Sequence, residues 1–231
     1  GAIALKILES LGINLHAYAK EIGGIAIDYE KFDLQAAREN AFTMPDKEAA
    51  AKVEVYATQK IQEGDSIGGI IECVVEGMMP GIGEPVFDKL DASLGKAMLS
   101  IGAVKGFEIG SGFEAAKMTG SENNVSFVLK DGKLTKKTNH AGGVLGGMSD
   151  GSNIVFRAAV KPTPSISAVQ DTVNKDGENI EISIKGRHDP MIVPRAVVVV
   201  EAMTALTLVD LIFENMTARL DGICAFYNRS K

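Results

Sequence analysis

A chain of 231 residues, 45% apolar and 23% charged, can bury the core of one domain or of two small ones, which excludes intrinsic disorder. A net charge of −6 argues against general nucleic-acid binding, which rests on many lysines and arginines facing phosphates, and admits an anionic small ligand only through a local cationic pocket. No apolar run approaches the roughly 18 residues that cross a bilayer, and the first residues lack a basic-then-apolar leader, so a soluble, cytoplasmic protein with no membrane or nucleic-acid partner is expected.

The chain opens without methionine, in "GAIALKILESLG", which already has helical spacing and a stop at Gly12; an N-terminal truncation is expected. "INLHAYAKEIGG" then alternates Ile13, Leu15, Ala17 and Ala19 against Asn14, His16, Tyr18 and Lys20, the period of a half-buried strand whose second set faces solvent. Residues 24–42 are mixed. "TMPDKEAAAKVEVYATQKIQEG" predicts a helix capped by Thr43, with Pro45 near its first turn. "DSIGGIIECVVEGMM" predicts a strand in which Gly68 and Gly69 mark a bulge or a close backbone contact. Cys73 in that strand and Cys224 near the end sit among apolar neighbours without metal-type spacing, so buried free thiols and no metal are expected.

"PGIGEPVFDKLDASLGKAMLSIGAVKGFEIGSGF" reads as a tight loop, then a helix opened by Glu84 and Pro85 with Val86, Phe87, Leu90, Leu94 and Met98 on one face, then a strand. After a short helix, "VSFVLKDGKLTKKT" is a hairpin turning at Asp131-Gly132. The glycine-dense "TNHAGGVLGGMSDG", a strand over "NIVFRAAVKPTPSI", a turn at "NKDGEN" and a strand over "IEISIKG" follow. Pro194 starts the long helix "PRAVVVVEAMTALTLVDLIFENMTARL", apolar on nearly every face of its first turns and so expected to be buried on all sides. Because several strands are joined by hairpins, an α+β arrangement with a helical layer enclosed by sheets is expected, in one domain over 1–231.

Chemistry concentrates at "GRHDP". Arg187 either pairs as a surface salt bridge or, ahead of a helix whose first N–H groups favour anions, binds phosphate or carboxylate; Asp189 beside it is a reasonable proton acceptor. His188 reads as structural and His16 as solvent-facing, while His140 lies in the glycine loop with no evident partner. Gly142, Gly143, Gly146 and Gly147 make either a surface loop or a backbone able to approach a flat ligand or a phosphate; they match neither a dinucleotide fingerprint nor a P-loop. "KPTPS", residues 161–165, supplies a cation and two hydroxyls on a proline-fixed backbone, which is a usable phosphate cradle or simply a strand end.

The stretches from "GIGEPVFDKLD" to "GSGF", "TNHAGGVLGGMSDG", "VKPTPSI" and "GRHDPMIVPRAVVVVEAM" resemble, in order and separation, motifs of the chorismate synthase family, and the resemblance runs from Gly1 to about Leu211. It implies a β-α-β sandwich, a helical layer between antiparallel sheets, assembled as a homotetramer. It implies a lyase of the shikimate pathway and aromatic amino acid biosynthesis that converts 5-enolpyruvylshikimate 3-phosphate to chorismate and phosphate by 1,4-trans elimination. That reaction needs reduced FMN, and NADPH is associated with the family, whether or not the parent protein reduces its own flavin. Carried over by motif, the flavin contacts fall on Gly102, Ala103, Gly146, Lys161, Pro162, Thr163, Pro164, Ser165 and Arg187. Arg187 would also meet the substrate, and Asp189 would assist proton movement. Position 102 departs from the family's usual asparagine or proline, so only its backbone can serve. The family's Gly-Glu-Ser-His-Gly motif, second catalytic histidine and Ser-Ala-Arg segment do not occur in these residues. A fragment of negligible turnover is therefore expected, or an inert flavin-binding or assembly module of the same fold. An unrelated phosphate-handling enzyme is the remaining alternative.

Overall fold

The alternation of small apolar residues along "LHAYAKEI" lets one face of a strand lie flat under a helix, and the chain uses that face to start its main sheet. The computed structural model describes residues 1–130, 132–184, 186 and 189–228. Asp131, Arg187 and His188, each given a part above, lie outside the described residues. In chain order the elements are α1 (Ala2–Ser10), β1 (Asn14–Ile22), β2 (Ile25–Ala26), α2 (Leu34–Glu39), α3 (Lys47–Gln62), β3 (Gly69–Glu76), α4 (Leu90–Leu99), β4 (Val104–Ile109), α5 (Gly120–Asn123), β5 (Phe127–Lys130), β6 (Lys133–Lys136), β7 (Val144–Leu145), β8 (Met148–Ser149), β9 (Ile154–Val160), β10 (Gln170–Val173), β11 (Asn179–Ile182), α6 (Val193–Met216) and α7 (Leu220–Tyr227).

Five strands form one antiparallel sheet in the order β2-β1-β3-β9-β4. Ala17, Ala19, Ile71, Cys73, Phe156 and Ala158 are buried, and the Cys73 thiol lies 3.8 Å from the Thr204 hydroxyl of α6, which places their face of the sheet under the helical layer. That layer is α6 with α1 and α4 beside it. The fold is α+β, helices on an antiparallel sheet. The remaining strands make the two-stranded pairs β5–β6, β7–β8 and β10–β11.

Four expectations about the helices need correction. The helix expected from Glu84 begins only at Leu90: Val86 takes a left-handed φ of 82°, and Val86 and Phe87 are 76% and 86% exposed, so neither joins the buried face of Leu90, Leu94 and Met98. The cap of α3 is Asp46, whose carboxylate accepts the N–H groups of Glu48 and Ala49 at 2.9 and 3.1 Å; Thr43 is itself left-handed, φ 54°. Helix α6 is buried along Val193, Val197, Val200, Leu208 and Leu211 but exposes Val198, Leu206, Phe213 and Met216, so it is not enclosed within these residues. By length and composition α6 also passes as long and apolar enough to cross a membrane, contrary to the reading of the sequence; here it serves as the core helix on the sheet.

The two thiols differ from each other. Burial pushes the Cys73 thiol up to about 12, whereas Cys224 is exposed, against the expectation that both are buried. A thiol reagent at pH 8 is expected to label Cys224 within the mixing time of a manual assay and Cys73 only after denaturant is added. Rapid double labelling of the native protein, followed by mass spectrometry, would contradict this packing.

Candidate functional site

Strand β9 ends at Val160, and Lys161-Pro162-Thr163-Pro164-Ser165 leaves the sheet as a loop whose prolines fix φ and remove two N–H donors. The Lys161 N–H donates to the carbonyl of Ala103 at 2.9 Å, which joins this loop to the turn after α4. Ala103 holds a left-handed φ of 69°, uncommon for a residue with a Cβ, while Gly102 is exposed with open space where a side chain would be. On the other side, the turn before α6 brings up Asp189. A pocket of about 170 Å³ is lined by Asp65, Ser66, Ser165, Ser167, Gly186 and Asp189, so two of the motifs singled out in the sequence share one hollow.

The side chains of the two loops are unequally engaged, and of residues 161–165 only Ser165 lines the hollow itself. Asp189 pairs with Arg195 of the first turn of α6 at 2.7 Å, and the arginine is 77% exposed. The Thr163 hydroxyl oxygen is buried and has no hydrogen-bond partner among the described residues. A buried hydroxyl left unpaired costs about 1–3 kcal/mol, so its place in a preformed loop needs a reason. An anionic group bound there would supply one. Lys161, exposed beside it, supplies positive charge, and Ser165 a second hydroxyl.

Gly146 lies elsewhere. Gly146 and Gly147, with φ of 60° and 88°, form the two-residue turn between β7 and β8, a turn that requires positive φ at both positions. The Gly147 carbonyl accepts the Leu90 N–H at the start of α4 at 2.8 Å, while Ala103 follows the other end of that helix, about 15 Å along its axis. Within this chain the Gly146 turn therefore stands apart from the 161–165 loop. Of the four glycines, Gly146 alone has open space at its Cβ position. A Cβ on Gly142 would run into the Gly110 amide, one on Gly143 would lie 2.6 Å from the Asn153 carbonyl, and one on Gly147 2.5 Å from Lys89 Cγ. Gly142→Ala is thus expected to cost about 2–4 kcal/mol, from left-handed backbone strain and overpacking together, and Gly146→Ala about 1 kcal/mol. Denaturant midpoints of the two variants measure the difference, and equal losses would remove the distinction between a packing glycine and a surface-facing one.

His140, without a partner in the sequence reading, has one: its Nδ1 lies 2.8 Å from the Ser111 hydroxyl. His16 is half-buried, and burial holds its pKa below the ordinary value despite the opposing carboxylates of Glu76 and Glu201. Larger hollows, of about 630 Å³ against α4 and α6 and about 520 Å³ beside β6, contain none of the predicted flavin or catalytic residues, though Thr138, Asn139 and Asp150 of the glycine-dense motif line the second; another of about 520 Å³ is lined by His140, Ser111, Glu108 and Arg157.

A second polar cluster escaped the sequence reading. On the sheet face away from α6, Tyr18, Glu72, Arg157 and Glu108 lie in register across β1, β3, β9 and β4. Buried Glu72 accepts hydrogen bonds from the hydroxyls of Tyr18 and Tyr29 at 2.5 and 2.6 Å, and from Arg157 Nη1 at 3.2 Å. Arg157 also donates to Glu108 and to the Gly110 carbonyl. Burial and the Glu72 carboxylate push both phenols well above the ordinary tyrosine value. Tyr18 is thus buried, not solvent-facing. The signal available was only that four strands each carry a polar residue on one face.

The fold is that of an α+β protein in which loops chemically able to accommodate an anion gather where a central strand ends and the core helix begins. A sequence model of the family described as chorismate synthase matches residues 1–213. The chain is 73% identical over 99% of its length to a chorismate synthase of Lachnospira eligens, of which it spans 63%, and 53% identical over 91% of its length to one of Methanosarcina mazei, of which it spans 58%. A crystal structure of chorismate synthase superposes with a TM-score of 0.76 at 28% identity, over 93% of this chain and 61% of that one. The chain belongs to the chorismate synthase family. It spans somewhat under two thirds of the length of these relatives.

Proposed function

We propose that this chain, within a full-length family member, supplies the flavin-phosphate side of a site that converts 5-enolpyruvylshikimate 3-phosphate to chorismate and phosphate. The observation that carries this reading is the Thr163 hydroxyl, buried between Lys161 and Ser165 with no hydrogen-bond partner among the described residues, which fits an anionic group of reduced FMN. Lys161 balances the charge of that group, Thr163 and Ser165 donate to it, and the prolines hold the loop so that little ordering entropy is lost on binding. Gly102 and Ala103 offer backbone to the ring system, and Gly146, at the far end of α4, meets flavin only if the ligand or a second subunit reaches it. Arg187 is assigned to flavin and substrate from the motif alone.

When bound, reduced FMN would lend the substrate one electron and recover it, so the overall reaction has no net redox change. Phosphate would leave as an anion, and the ring C–H would give up a proton as that electron is returned. Asp189 holds or accepts the associated proton, and its neighbour Arg195, 2.7 Å away, orients the carboxylate. A pocket of about 170 Å³ is smaller than the roughly 300–1,000 Å³ of a complete drug-sized site, so the remaining walls come from residues beyond these 231 or from another copy. NADPH as reductant, a homotetramer and a cytoplasmic location belong to the same reading. The 231 residues alone bind flavin weakly and turn over nothing. Incubating them, and the full-length protein, with reduced FMN and 5-enolpyruvylshikimate 3-phosphate tests both statements. Chorismate from the 231-residue chain would overturn the inert reading, and none from the full-length protein would overturn the reaction.

A further inference from the structure

Between α3 and β3 the chain runs Gly64-Asp65-Ser66-Ile67-Gly68, a segment that neither the motifs nor the family resemblance ties to the ligand. In the structure it holds both ligand loops at once. The Gly64 carbonyl accepts the N–H groups of Ser167 and Ala168 at 3.0 and 3.1 Å, just past the 161–165 loop. The Ile67 N–H donates to the Pro190 carbonyl at 2.8 Å, and Ile67 pairs with Met191 in a parallel bridge, which fixes the turn that carries Asp189. Gly68 packs so tightly on the start of the loop that a Cβ there would lie 2.5 Å from the Val160 carbonyl and 2.9 Å from Pro162 Cδ. Between these backbone contacts sits a bond made by a side chain: the Ser66 hydroxyl donates to the Thr163 carbonyl at 2.7 Å.

That bond takes Thr163 by its carbonyl, and the Thr163 hydroxyl has no partner among the described residues. We propose that Ser66 is a positioning residue, whose hydroxyl fixes the Thr163 peptide and so keeps the Thr163 hydroxyl presented to the anionic group of the ligand, with Gly64–Gly68 as a clasp that couples the 161–165 loop to the Asp189 turn. The proposal rests on the reading of 161–165 as the flavin-phosphate loop. Asp65 supports it from the same pocket, accepting the Ser66 N–H at 2.8 Å and so setting the serine's backbone.

The test compares Ser66→Ala and Ser66→Thr with the parent in the full-length protein, using two readouts: the Kd for oxidised FMN from flavin fluorescence, and hydrogen exchange of residues 161–168 with no flavin present. Loss of one such hydrogen bond is expected to raise the Kd roughly fivefold and to speed exchange across 161–168 but not in the strands β1 and β3. Ser66→Thr, which keeps the hydroxyl, is expected to restore both to within about twofold of the parent, a rescue that a packing role would not show. Unchanged exchange and Kd in Ser66→Ala, or a threonine variant as impaired as the alanine one, overturns the proposal. If the parent itself fails to bind FMN, the flavin reading falls, and the exchange data still decide whether Ser66 orders the loop.

Discussion

Asp189→Asn in the full-length protein is expected to slow chorismate formation by about 10²–10⁴-fold, the range a positioned proton acceptor contributes, while leaving the fold nearly as stable as before. The stability half of that statement comes from the partner. Asp189 pairs with an arginine that is 77% exposed, and exposed ion pairs contribute about 0–1 kcal/mol. Arg195→Ala is the matching control, since it breaks the same pair but keeps the carboxylate, and only a modest rate loss is expected from it. Steady-state chorismate absorbance and thermal melts of the three proteins, run side by side, separate the two roles. A loss below tenfold for Asp189→Asn would take this carboxylate out of the proton path.

The second large effect belongs to the opposite face of the sheet. Arg157→Leu is expected to lower the unfolding free energy by about 3–5 kcal/mol, because it leaves Glu72, which is buried, and Glu108 without the cation between them. Lys20, 3.7 Å from Glu72, compensates in part. Arg157→Leu combined with Glu72→Met is expected to recover much of the loss, since removing both charges costs far less than stranding one. The effect depends on pH with a definite sign. Burial raises the Glu108 carboxyl, but the Phe113 N–H and the Arg157 guanidinium outweigh it and hold the group below the ordinary value. The stability this contributes is present above the ordinary carboxylate range and is lost as pH falls through the lower folded value. The gap between parent and Arg157→Leu is therefore widest near neutrality and narrows below about pH 4. Urea melts at pH 7 and at pH 3.5 measure it, and a gap that widened in acid would refute the pairing of Arg157 with Glu108 and Glu72 as the cause.

Much of this architecture was legible from local pattern. The alternation in β1, the apolar runs of β3 and β9, the hairpin turn before β11 and the proline at the start of α6 each sit where a short-range physical preference puts them. The failures have long-range causes. Glu84 and Pro85 carry a helix-start signal, yet the helix waits until Leu90, where its first N–H finds the Gly147 carbonyl from a loop far away in sequence. Tyr18 looked solvent-facing because nothing local announces that Glu72, Arg157 and Glu108 lie across three other strands. The exposed stripe of α6 was unreadable for the same reason: composition says how apolar a helix is, not what lies against it. At the site, "KPTPS" and "GRHDP" were visible as chemistry, but their meeting depends on the clasp before β3, whose residues carry no catalytic signature.

The strand order sets a timetable for making the protein. β3 and its neighbour β9 are separated by all of residues 77–153, and β4 joins the sheet only through β9. On a ribosome, then, β1 and β3 can pair early, but the sheet stays split until residue 160 has emerged, and for that interval Glu72 faces its two tyrosines without Arg157. The last central strand brings both the missing cation and, immediately after it, the 161–165 loop. Closure of the sheet and creation of the ligand loop are thus one event in the life of the nascent chain, and a chain that stalls before it has neither.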